Sequence, residues 1–161
     1  MKKLILTAAA VSTLAFSQTS IAAYPEKSIR LVVPFATGGT SEIIARSVAN
    51  SLSTSLGQSV YVENKPGGAG NIAMEEVKRA NPDGYTLILG HVGTLAVNPA
   101  LFGPKLPYDP NKDFAPITLV AKVPNVIAVS SKSANKTLAD LVADAKKNPG
   151  KINYGSAGNG S

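Results

Sequence analysis

The chain has 161 residues, 44% of them hydrophobic, a net charge of +6 and no cysteine. Without cysteine there is no disulfide framework, and with a single histidine the ligand set of a structural zinc site is missing. The charges are dispersed rather than run together, which argues against a nucleic-acid stripe. The mild positive balance suits ordinary solubility or the attraction of an acidic solute.

The first 23 residues read as a secretory signal peptide. Lys2 and Lys3 form a positive start, Leu4 to Phe16 a short apolar run, and Ser20-Ile21-Ala22-Ala23 the small residues of a cleavage site. The apolar run is too short to span a bilayer, and no later segment reaches spanning length. No cysteine follows to carry a lipid anchor. Residues 24–161 then keep a charge of +4, from 14 Lys and Arg against 10 Asp and Glu.

The next stretch organises the rest. Leu31, Val32 and Val33 form a continuous apolar run, as expected of a strand covered on both faces. Pro34 ends it, and Gly38-Gly39 allow a sharp turn with uncovered N–H groups. Thr40 or Ser41 is the expected N-cap of a helix, with Glu42 in its first turn, where the helix dipole favours negative charge. Ile44, Ala45, Val48, Ala49, Leu52 and Leu56 share one face, and Gly57 suits the C-terminal cap. Free amides at such a helix start are a natural place for an anion, although the same pattern describes a plain βα unit.

Ser59 to Glu63 alternates and reads as a second strand. A glycine-rich loop, Asn64 to Asn71, leads to a short helix from Ile72 to Ala80, capped by Asn71. Asn81-Pro82-Asp83-Gly84 is a turn and Tyr85 to Leu89 a third strand. After the loop Gly90–Thr94, Leu95 to Leu101 reads as one or two helical turns interrupted by Pro99, and Phe102 to Phe114 as an irregular crossing. Ile117 to Val120, Asn125 to Val129 and Ile152 to Tyr154 read as strands. Between them, Thr137 and Asp140 resemble a capping box, and Leu138, Leu141, Val142 and Ala145 are the expected buried face of a helix. The alternation implies an α/β fold with a parallel sheet. Its last unit, ending in the loop Gly155–Ser161, lacks the helix that should follow, which suggests a fragment.

Three loops rich in Gly, Ser and Thr follow strands: Ala36–Ser41, Gly90–Thr94 and Gly155–Ser161. In an open parallel sheet such loops line the ligand crevice. They offer backbone N–H and hydroxyl donors suited to a carboxylate or phosphate, and no acid–base pair. Gly68-Ala69-Gly70-Asn71-Ile72-Ala73 matches a loose dinucleotide fingerprint, but Lys65-Pro66-Gly67 intervenes after the strand and no acidic residue ends the next one. Neither a P-loop nor a G-x-S-x-G elbow is present. His91 has no nominated nucleophile or orienting carboxylate, so it reads as a polar loop residue near a pocket, or as a surface or packing residue. Tyr61, Tyr85, Tyr108 and Phe114 read as packing residues, and Glu42 as compensating the helix dipole rather than touching a ligand.

Tyr24-Pro25-Glu26-Lys27-Ser28-Ile29-Arg30-Leu31-Val32-Val33-Pro34-Phe35, followed by Gly38-Gly39, resembles the start of the Bug family, the extracytoplasmic solute receptors of tripartite tricarboxylate transport systems. Val62 to Gly67, Asn81 to Leu87, Asn98-Pro99, Leu106 to Asp109, Asp113 to Pro116 and Asn153 to Ser161 continue the likeness in order. The resemblance implies a periplasmic-binding-protein-like fold of the type II, Venus-flytrap kind, with two lobes and parallel-dominated sheets. Residues 24–124 would belong to the first lobe, and residues 125–161 would begin the second. The resemblance also implies a longer chain than this one. It implies a receptor, monomeric and free of cofactor, that closes on a small carboxylate and docks to a membrane permease. The loop Phe35, Ala36, Thr37, Gly38, Gly39, Thr40, Ser41 and Glu42 would clasp the carboxylate from one lobe, and Ser156, Gly158, Asn159, Gly160 and Ser161 from the other. His91, Gly93 and Thr94 would line the same cleft. Relatives commonly carry Asp where this chain has Glu42, which puts an inherited ligand preference in question. The rival readings are a secreted α/β enzyme acting on a small acidic substrate and a truncated paralogue without function.

Overall fold

A computed structural model describes residues 23–155. The signal-peptide reading of residues 1–22 and the loop residues Ser156, Gly158, Asn159, Gly160 and Ser161 lie outside the described residues. The core is a three-stranded parallel sheet in the order β2-β1-β3, built from β1 (Ile29–Val33), β2 (Val60–Asn64) and β3 (Thr86–Ile88). Ile29 faces Val60 and Val33 faces Asn64 across one ladder, while Arg30 faces Thr86 and Val32 faces Ile88 across the other.

Strand β1 is buried on both faces, as its unbroken apolar run requires. Ile29, Leu31 and Val33 pack with Ala45 and Ala49 of helix α1 (Thr40–Leu56) and with Val60. Small alanines at this contact let the helix approach the sheet closely, and Leu52 and Leu56 close the edge of the cluster. Helix α1 ends on Gly57 in the left-handed region, φ 67°, as a C-terminal glycine cap should.

The alternate residues of β1 point the other way. Val32 is fully buried, as are Ala73 and Met74 of helix α2 (Asn71–Lys78). Beside them Arg30 Nη1 pairs with Glu63 Oε2 at 3.0 Å and with Glu76 Oε1 at 2.8 Å. Lys65 Nζ reaches the same two carboxylates at 3.1 and 3.3 Å. Desolvation works against the Glu76 charge, but hydrogen bonds from Arg30 and Lys65 outweigh it and hold this carboxyl below the ordinary glutamate range.

Beyond β3, a π-helical turn (Gly93–Val97) runs straight into helix α3 (Asn98–Phe102). Pro99 does not interrupt it. A single 3₁₀ turn, Gly103–Lys105, follows.

The C-terminal third departs from expectation. Residues 117–120, 125–129 and 152–154 form no strands, and Ile117, Leu119, Val126 and Ile127 are exposed. A strand needs a partner for its N–H and C=O groups, and none of the described strands offers one here. Helix α4 (Leu138–Lys147) does form, because its signals are local. Thr137 Oγ1 accepts the Asp140 N–H at 3.1 Å, Asp140 Oδ2 accepts the Thr137 N–H at 2.9 Å, and Lys146 and Lys147 sit at the C-terminal end. Its apolar face is not buried as expected: Leu138 and Val142 are exposed and no residue of the helix is buried.

Met74→Ala should lose about 2–5 kcal/mol in urea denaturation, whereas Ile43→Ala, on the exposed side of α1, should change stability by less than about 0.5 kcal/mol. The depressed Glu76 carboxyl contributes stability above the carboxylate range, lost as pH falls through its folded pKa. Glu76→Gln should therefore be less stable than the parent at neutral pH, and the two acid-denaturation curves should converge only once the pH has fallen through the lowered folded-state pKa of Glu76.

Candidate ligand-binding site

All three strands run parallel, so the loops after them open at one edge of the sheet. The chain passes from β1 to β2 on one side and then to β3 on the other. The strand order reverses between β1 and β3, and such a switch point is where open α/β sheets bind ligands. The loops Pro34–Gly39 and Leu89–Thr94 flank this point. Phe35 and His91 meet across it edge to face, with ring centroids 5.2 Å apart. The structure thus brings together the first two expected loops.

Their backbones are tied to the sheet. The Leu89 N–H donates to the Val32 carbonyl at 2.9 Å, the Lys65 N–H to the Val33 carbonyl at 2.8 Å, and Asn64 Nδ2 to the Phe35 carbonyl at 2.9 Å. Gly70 lies where the three loops meet. A Cβ there would sit 2.6 Å from Thr94 Cγ2 and 3.2 Å from Pro34 Cβ, and its φ is +85°. This junction was not legible in the sequence, because Gly70 looked like one of several glycines in a flexible loop.

The first loop differs from expectation at its cap. Gly39 is the N-cap of α1, and neither Thr40 nor Ser41 caps it. Glu42 takes over: its Oε2 accepts the Gly38 N–H at 2.5 Å, while Oε1 accepts from Arg46 Nε at 2.8 Å and Nη2 at 2.6 Å. It is only 8% exposed. The Gly38 amide, with Arg46 behind it, holds the Glu42 carboxyl below the ordinary range, so it remains ionised. Ala36, Thr37, Gly38, Gly39 and Thr40 are exposed, and among the described residues the Gly39, Thr40 and Ser41 N–H groups meet no protein acceptor. The two glycines are not equivalent: Gly38 has φ +87°, Gly39 has φ −87°.

The second loop is set by side chains. His91 Nδ1 accepts the Gly93 N–H at 3.0 Å, which leaves the proton of the neutral ring on Nε2. Thr94 Oγ1 accepts the His91 N–H at 3.1 Å, and Gly93 and Thr94 are buried. They support the loop rather than line an open surface. Behind them Tyr108 O–H donates to the Thr94 carbonyl at 2.6 Å, and the fully buried Asn98 donates to the Ala69 carbonyl at 2.9 Å and to Asn71 Oδ1 at 2.7 Å. Burial pushes the Tyr108 phenol above its ordinary pKa and keeps it a donor. Asn71 therefore holds the two loops together rather than capping α2, whose N-cap is Gly70. The packing role expected of Tyr108 holds and gains a hydroxyl function, whereas Tyr61 is exposed.

Among the described residues no cluster of His, Cys, Asp or Glu could hold a metal ion. A groove of about 320 Å³ between Leu95, Pro99, Leu106 and Asp109 is lined by none of the residues Phe35–Glu42 or His91–Thr94. Among the described residues the switch-point edge offers amides and hydroxyls to an anion.

Residues 44–161 match the tripartite tricarboxylate transporter family receptor. The chain belongs to this receptor family. A relative from Agrobacterium vitis, the UPF0065 protein in the TAR-I ttuE-ttuC' intergenic region, is 42% identical over 98% of this chain and 44% of its own length. A solved periplasmic transporter is 52% identical, with a TM-score of 0.81 over 84% of this chain and 45% of its own. An R. palustris protein with adipate is 39% identical (TM-score 0.75, 80% of this chain and 43% of its own). MatC from Rhodopseudomonas palustris with bound malate is 37% identical (TM-score 0.71, 76% and 42%). This chain thus spans under half the length of the relatives it matches. The family is one of transporter receptors, and the fold expected from the resemblance is that of the solved periplasmic transporter.

Gly70→Ala should lose more than about 1–2 kcal/mol from backbone strain alone, and more from displacing Thr94 or Pro34, with faster amide exchange from His91 to Thr94. Gly39→Ala, with φ −87° and only the Ala36 carbonyl at 3.8 Å, should stay within about 1 kcal/mol of the parent in the same measurement.

Proposed function

We propose that this receptor captures a small dicarboxylate in the periplasm and delivers it to the membrane permease of a tripartite tricarboxylate transporter. The observation that carries the reading is that two solved relatives, at 37–39% identity over at least three quarters of this chain, hold malate and adipate. The switch-point loops support it: they present unpaired amides at the start of a 17-residue helix.

In this reading residues 1–23 direct export and are removed. Residues 24–124 belong to one lobe, and residues 125–161 begin the second. The carboxylate lies against Gly39, Thr40 and Ser41, with Phe35 and His91 beside it. Ser156, Gly158, Asn159, Gly160 and Ser161 reach it from the other lobe. The ligand stabilises the closed form because only that form engages both sets of donors. The receptor acts as a monomer, binds without chemistry and uses no cofactor.

Calorimetric titration of the protein with adipate and with malate tests this. Stoichiometric binding with the acid recovered unchanged is expected, and Gly38→Val, which strains a φ of +87°, should weaken it about tenfold. Turnover of either acid would instead favour a secreted enzyme, and a Gly38→Val variant binding as tightly as the parent would remove the first loop from the site.

A further inference from the structure

We propose that Arg46 masks the charge of Glu42, so that the carboxylate latching the ligand loop does not repel the ligand's own carboxylate. The inference rests on the dicarboxylate reading of the same site.

The N-cap of α1 is a glycine, which has no side chain to hold the turn before it. Glu42, at the third helical position, reaches back past Gly39 and takes the Gly38 N–H at 2.5 Å. The turn thereby gains an acceptor, but a full negative charge now stands in the first turn, beside the open amides of Gly39, Thr40 and Ser41. A ligand carboxylate on those amides would lie within roughly 6 Å of it. At an effective dielectric constant of about 20–40, two like charges at that range reduce affinity by about tenfold or more.

Arg46 removes this conflict. It lies one turn along the same face and grips Oε1 with both Nε, at 2.8 Å, and Nη2, at 2.6 Å. The other oxygen, Oε2, is left to Gly38. The latch is therefore neutral as a unit. An ordinary helix-stabilising ion pair would be exposed at both ends. Here the carboxylate is 90% buried and only the arginine, 60% exposed, faces solvent. Arg46 is thus a positioning residue, acting on the ligand through Glu42.

Adipate is the probe, titrated calorimetrically at low salt into the protein and into Arg46→Gln, Glu42→Gln and the double variant, with the fold of each checked by circular dichroism. Arg46→Gln is expected to weaken adipate binding about tenfold, by an amount that shrinks as salt is added. Combining it with Glu42→Gln, which keeps an acceptor for Gly38 and removes the charge, should recover most of the loss. The Gly38 amide should remain protected from exchange in Arg46→Gln. Undiminished binding by Arg46→Gln overturns the masking role, and so does a double variant as weak as Arg46→Gln, which would mean that Arg46 touches the ligand itself. Failure of the parent to bind any of a dicarboxylate series overturns the receptor reading and the masking role with it. Loss of masking with parental binding intact overturns the masking role alone.

Discussion

Both ladders of the sheet run through β1. Ile29 to Val33 hydrogen-bond to β2 on one side and β3 on the other, and their side chains are covered alternately by α1 and α2. A strand with no free edge and no free face can be built only from apolar residues, apart from Arg30, whose charge is met by Glu63 and Glu76. The position of β1 also determines where the site lies. With β2 and β3 on opposite sides of it, the loops after β1 and β3 part at one edge and leave a crevice between them, at the kind of switch point where open α/β sheets bind ligands.

What holds that crevice in shape is mostly uncharged. Pro34, Gly70 and Thr94 come together where three loops meet, and Asn98 and Tyr108 donate to the Ala69 and Thr94 carbonyls from behind, with Asn71 Oδ1 accepting from Asn98. Buried neutral groups with hydrogen-bond partners are rigid and impose no field on an incoming anion. The one buried carboxylate at the site, Glu42, is bonded to an amide on one oxygen and to Arg46 on the other.

The C-terminal third behaves differently from the rest. Residues 115–136 form no helix or strand and are largely exposed, and α4 stands with its apolar side in solvent. The relatives are more than twice as long as this chain, and the outer edges of β2 and β3 carry no strand among the described residues. Ile117, Val123, Val126 and Ile127 leave a run of apolar side chains in solvent in this region.

The two βα units, the third strand and the capping box of α4 were legible from residue order, since each rests on contacts within a few positions: an apolar run, a proline stop, a glycine at a left-handed turn, a threonine three residues before an aspartate. The motif order from Tyr24 to Ser161 was likewise enough to indicate the family. Tertiary structure alone decided the rest. It placed Gly70 between Pro34 and Thr94, turned Asn71 and Tyr108 into struts for the second loop, and made Gly39 the N-cap of α1, with Glu42 holding the Gly38 amide, instead of Thr40 or Ser41. It also left Ile117–Val120 and Asn125–Val129 unpaired. The reason is the range over which each bond acts. A helix and its caps satisfy their own backbone within one turn, whereas a strand, or a side chain bridging residues 27 to 29 positions apart as Asn98 does, is determined by what the fold brings alongside it.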